Sequence, residues 1–184
     1  MKSTTKLITQ TAVMIALLIV LQLVTKGFGQ FVTGSCVNGI LALSVLFFGT
    51  ASGIIVAVLS PIFAFIFGIG PALLPVVPVI CLGNTVLVVL LDLLVRRRYL
   101  KQEATGAEVR VGAAGNISAV ICAAVCKFAV LFVLVSKLIL PVLSVPEKQA
   151  AAITAAFSWP QLVTACIGTA VALLIYSRLR KIIK

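Results

Sequence analysis

Six times between residues 7 and 176 the chain runs apolar for long enough to cross a lipid bilayer. The runs are about 7–24, 31–48, 53–69, 76–95, 113–138 and 151–176. A helix needs about 20 apolar residues to cross ~30 Å of hydrocarbon. The runs are continuous and do not alternate, which excludes the strands of a membrane barrel. Of all residues 62% are hydrophobic and only 10% are charged, whereas a soluble domain carries roughly a quarter charged residues. One soluble core could not hide so much apolar surface. The sequence therefore predicts an all-α integral membrane protein: a single domain over 1–184, built as a bundle of six transmembrane helices. The first run is read as a membrane helix and not as a cleaved leader. It is too long for a signal core and offers no convincing cleavage site before Lys26.

Local signals refine this layout. The link Gly49-Thr50-Ala51-Ser52-Gly53 is short, so the second and third runs should form a tight hairpin. Pro61 sits near the middle of the third run, where it removes one helical hydrogen bond and bends the helix. Gly68-Ile69-Gly70-Pro71 ends that run. The strongly polar internal stretch is 96–110, which also holds Glu103 and Glu108.

Orientation follows from the cations, which favour the cytoplasmic side. Six spans with the N-terminus inside place Lys2, Lys6, Arg96, Arg97, Arg98, Lys101, Arg110, Arg178, Arg180, Lys181 and Lys184 on one side. Lys26, Lys137 and Lys148 fall on the other. Both termini are thus expected in the cytoplasm, since five or seven spans would put a basic tail outside. The formal charge of +11 is explained by this arrangement. No basic patch interleaved with aromatic residues suggests nucleic acid.

The absences bear on chemistry. The chain has no histidine, so the usual base for a serine or cysteine nucleophile is missing. There is no P-loop run for ATP. Of the acids Asp92, Glu103, Glu108 and Glu147, only Asp92 lies in an apolar run, four residues before Arg96. That spacing predicts an ion pair on a helix face. Cys36, Cys81, Cys122, Cys126 and Cys166 lie in or beside apolar runs without a C-x-x-C pair, and read as small buried hydrophobes. No enzyme, cofactor or metal site is expected.

Lys127 is the most informative residue. It lies well inside the fifth run, where a cation costs roughly 2.5–3.5 kcal/mol on insertion scales. It should face the protein interior or a wet cavity; a lysine snorkelling to the interface is the alternative. No mid-membrane acid can pair with it, so a bound anion, such as a carboxylate, is one way to satisfy it. Asn84, Thr85, Asn116, Ser118, Trp159 and Gln161 could converge with it. Asn84 and Gln161 could equally make interhelical hydrogen bonds, and Trp159 could anchor the interface. The substrate-binding candidates are Lys127, Asn84, Gln161, Trp159 and Asn116. Ala12 and Ala16, four apart on one face of the first run, would let another helix approach closely.

Ala12-Val13-Met14-Ile15-Ala16 matches an A-x-x-x-A motif, and Ser60-Pro61, Leu82-Gly83-Asn84 and Pro160-Gln161-Leu162 add further short patterns. With the length, the six runs and the basic tails, the chain resembles the substrate-binding S-components of energy-coupling factor (ECF) vitamin transporters, in their broad folate- and pantothenate-type branch. The resemblance covers nearly the whole chain. It implies a subunit that binds a vitamin or related small metabolite near the outer side. Such a subunit docks on a transmembrane coupling protein and two ABC-type ATPases, which supply hydrolysis. It also implies that Ala12 and Ala16 face the coupling protein. A self-sufficient secondary transporter or channel is the competing reading, and the lack of a mid-membrane acid and of an internal repeat speaks against it. A lipid-acting enzyme would need a catalytic pair that is not visible. A scaffold would bind no small molecule.

Overall fold

The structure is a computed structural model that describes residues 2–70, 73–105, 113–143 and 145–182. Pro71, Glu108, Arg110 and Lys184 lie outside the described residues. No strand occurs among those described. The helices are α1 (Lys2–Thr25), α2 (Gln30–Phe48), α3 (Thr50–Ile66), α4 (Val76–Leu91), α5 (Arg97–Thr105), α6 (Ala113–Val133), α7 (Leu140–Leu143), α8 (Glu147–Ala156) and α9 (Trp159–Ile182). A π-helical stretch, Asp92–Arg96, joins α4 to α5, and another, Leu134–Ile139, joins α6 to α7. Five helical stretches are long and apolar enough to cross a membrane, while α3 is shorter at 17 residues.

The α2–α3 hairpin is as tight as its sequence suggests. Gly49 alone separates the two helices, at φ 91°, a backbone state that costs glycine little and other residues more. The π-helical stretch after α4 also has a local cause. Arg97 N–H bonds the Asp92 carbonyl five residues back, which brings both Arg96 and Arg97 onto the Asp92 side chain, each at 3.0 Å. The expected Asp92–Arg96 pair is therefore present, with a second arginine added. Asp92 is only 2% exposed, and a buried carboxylate needs such partners.

Several helix ends differ from the apolar runs. The third helix covers Thr50–Ile66, three residues earlier than the run at 53–69. The fifth run continues through its π-helical stretch to Leu143. The sixth run, 151–176, is not one helix. It breaks at Phe157–Ser158 into α8 and α9, and α9 continues to Ile182. Hydropathy hides the break because Phe157 and Trp159 keep the run apolar. Pro160 is compatible with it, since proline is tolerated in the first turn of a helix.

Tight packing between α2 and α9 draws the bundle together. A Cβ placed on Gly168 would lie 2.2 Å from the Ser35 carbonyl oxygen and 2.7 Å from the Gly39 nitrogen. Only a glycine allows that backbone approach, as is common where helices meet in lipid. The main apolar core joins Leu18, Leu41, Val56, Leu87, Ala123 and Ala172, among others, from six helices. A second cluster around Val76, Leu131, Val135, Ile153 and Phe157 seats α8.

The two ends of the bundle differ. At the end nearest the termini, Arg180 donates to the Tyr99 carbonyl at 3.1 Å and Arg98 to that of Gly115 at 3.4 Å. At the far end, Lys26 Nζ donates to the Phe67 carbonyl at 3.1 Å and Gln30 Nε2 to that of Ala156 at 2.5 Å. These bonds tie the α1–α2 connection to the end of α3 and to α8.

Candidate functional site

A cavity of about 510 Å³ lies toward the far end, away from the termini. Its walls come from α1, α2, α3, α4, α6, α8 and the start of α9. Apolar lining includes Val37, Pro61, Phe65, Val77, Ile80 and Phe157, and polar lining includes Gln22, Gln30, Thr33, Asn38, Ser60, Asn84, Lys127, Gln149 and Gln161. An apolar cavity with a few convergent polar groups is the usual form of a small-molecule site.

Lys127 is the centre of this site. It is 3% exposed and donates from Nζ to Asn38 Oδ1 at 2.5 Å and to Asn84 Oδ1 at 2.7 Å. Both asparagines are oriented by what lies behind them. Asn38 Nδ2 donates to Thr164 Oγ1 at 3.3 Å, on α9. Asn84 Nδ2 donates to the Ala57 carbonyl at 3.4 Å, on α3. That carbonyl is free for a covalent reason. Proline lacks an N–H, so Pro61 cannot make the helical bond back to Ala57. One proline thus helps aim an asparagine oxygen at the lysine. Neither oxygen is ionised, so two neutral dipoles hold a buried amine. An ammonium has three N–H donors, and two of them are used here. The buried acid Asp92 is occupied by Arg96 and Arg97.

Gln22 on α1 is a further wall of the cavity. Its Nε2 donates to the Ser60 carbonyl at 3.3 Å and to Ser60 Oγ at 3.4 Å. Gln161, at the start of α9, donates to the Ala156 carbonyl at 3.3 Å, the same oxygen that Gln30 reaches.

The structure brings three of the five candidate substrate residues, Lys127, Asn84 and Gln161, onto one cavity. It places the other two elsewhere. Asn116 donates to the Tyr99 hydroxyl at 2.9 Å near the opposite end of the bundle, where Arg180 also covers the Tyr99 ring. Trp159 is 61% exposed, and its ring lies 5.4 Å from that of Phe31. Sequence reasoning missed Gln22 and Asn38. Both are amides inside apolar runs, a signal that was available, but nothing in the pattern says which helix face turns inward. Ala12 and Ala16 are exposed on α1, on a face that also bears exposed Ile8, Val13 and Val20.

A largely apolar cavity with a buried lysine and several amides in its wall has the form of a small-molecule site. The family of ECF transporter substrate-specific components matches residues 6–180. The chain belongs to that family. As an ECF substrate-specific component it is a membrane-embedded transport subunit and not an enzyme. The folate- and pantothenate-type detail of the resemblance does not follow from this match. Comparisons with curated proteins and with solved structures give no match.

Proposed function

We propose that this ECF substrate-specific component captures a small anionic metabolite, such as a carboxylate-bearing vitamin, in the cavity around Lys127. It then delivers the metabolite to the cytoplasm together with a transmembrane coupling protein and two ABC-type ATPases. The observation that carries the substrate class is the buried lysine held by two neutral amide oxygens beside a cavity of about 510 Å³. An uncompensated buried cation is costly, so it favours an anion that enters beside it. In this reading Lys127 binds the anionic group, Asn38 and Asn84 position the lysine, and Gln161 shapes the mouth near α8. Asn116 and Trp159 leave the substrate set.

Six helices are proposed to span the bilayer, with both termini cytoplasmic. At ~1.5 Å per residue the α3 helix reaches about 26 Å, enough for a thin or locally adapted bilayer. The basic end then faces the cytoplasm and the cavity opens toward the outside. The exposed face of Ala12 and Ala16, unused within the bundle, is proposed to receive the coupling protein.

The test is mass spectrometry of small molecules released on denaturing the detergent-purified protein. A stoichiometric carboxylate-bearing metabolite is expected. Lipid alone, from cells grown in rich medium, would overturn the anionic-substrate reading. Uptake into liposomes by the purified chain, with neither ATP nor partners, would support a self-sufficient transporter instead.

A further inference from the structure

Among the described residues, four buried side-chain atoms lack a hydrogen-bond partner: Gln22 Oε1, Asn116 Oδ1, Ser136 Oγ and Thr169 Oγ1. Only Gln22 belongs to a residue that lines the cavity. Buried polar atoms in native proteins are nearly always partnered, and an exception calls for an explanation.

The orientation of this amide is not arbitrary. Its nitrogen lies against the Ser60 carbonyl, which can only accept. Turning the amide over would set two acceptors face to face. The oxygen is therefore the free end, and Gln22 itself is just 2% exposed. An amide oxygen has no proton to give, so its missing partner is a donor. Lys127 asks for the opposite, because its remaining N–H needs an acceptor. The cavity that both line also has apolar walls, among them Pro61, Phe65 and Val77.

We infer that the substrate carries a hydroxyl or N–H group which donates to Gln22 Oε1, separate from the anionic group at Lys127, so that Gln22 selects within the class of small carboxylates. This rests on the anionic-substrate reading above and narrows it. A hydroxy acid or an N-acyl amino acid fits. A plain fatty-acid anion or an inorganic anion would leave the Gln22 oxygen unpaired. Such a penalty discriminates strongly, because a site built to hydrogen-bond a group rejects an analogue that lacks it.

The experiment uses matched pairs of probes on the whole purified protein in detergent. N-acyl amino acids are compared with their N-methylated forms, and hydroxy acids with their methyl ethers, by titration calorimetry. The donor-bearing member of a pair is expected to bind about tenfold more tightly, a difference of ~1.4 kcal/mol. Gln22→Met should level the pair while the need for a carboxylate persists. Equal binding of both members to the wild-type protein would overturn the role of Gln22 and leave the anionic reading standing. No binding by any carboxylate of the panel would overturn both. The wild-type comparison decides the matter even if Gln22→Met does not fold.

Discussion

Among the described residues, Lys127 answers to two asparagine oxygens and to no carboxylate, an arrangement open to two roles, binding a ligand and holding the fold. Replacing it tests the first role. Lys127→Ala is expected to weaken binding of an anionic substrate by more than tenfold, over ~1.4 kcal/mol, in a calorimetric titration. Unchanged affinity would make the lysine structural. Changing its partner tests the second. Asn38→Asp sets a carboxylate where the amide oxygen lies at 2.5 Å, supplying the countercharge that the cavity lacks. The variant is expected to melt at a higher temperature and to bind the anion at least tenfold more weakly, because the lysine is already neutralised. Tighter binding in that variant would contradict the anionic reading. Lys127 was legible in the sequence because a cation deep in an apolar run is rare. Asn38 and Gln22 were not, since an isolated amide carries no mark of the face it occupies. Asn116 and Trp159 lie away from this cavity, and nearness to an apolar run says nothing about which end of the bundle a side chain reaches.

At the scale of elements, α2 and α9 meet through backbone and not through adaptable side chains. A Cβ on Gly168 would clash with Ser35 and Gly39 main-chain atoms, and a rotamer change cannot relieve that. Gly168→Leu is expected to cost about 3 kcal/mol or more and to lower the thermal transition in detergent by several degrees. An unshifted transition would show that the two helices can part freely. Because Asn38 on α2 is bonded to Thr164 on α9, the same change should also loosen the hold on Lys127. The helices themselves were legible, since long apolar runs can do little else in a bilayer. Their ends were less so. The break at Phe157–Ser158 falls between two aromatic residues, and it is the packing of Ile153 and Phe157 against Val76 and Leu131 that turns α8 aside. The π-helical stretch at Asp92–Arg96 accompanies two arginines that share one carboxylate, one on each oxygen, an arrangement that hydropathy does not record.

For the whole molecule, the division of surfaces matters most. The cavity lies toward one end, the arginines gather at the other, and the Ala12–Ala16 face of α1 stays exposed. If that face receives the coupling protein, Ala12→Trp and Ala16→Trp should abolish uptake by the assembled transporter while substrate affinity and melting temperature hold. Full uptake by the double variant would remove the assignment. The membership in a transport family was legible in short motifs, because each of them lies within one helix. The cavity was legible only in part, because seven helices contribute to it and their relative rotation is a property of packing. The neutral asparagines around Lys127 have an electrical consequence as well. If the proposed ligand is a monoanion and Lys127 is protonated, the loaded centre carries no net charge and the empty one carries a positive charge. Any displacement of that centre along the membrane normal works against or with the membrane potential, at about 2.3 kcal/mol per elementary charge per 100 mV. On that reading voltage would act on the empty protein and spare the loaded one, and charge-displacement currents recorded with and without substrate would show the difference.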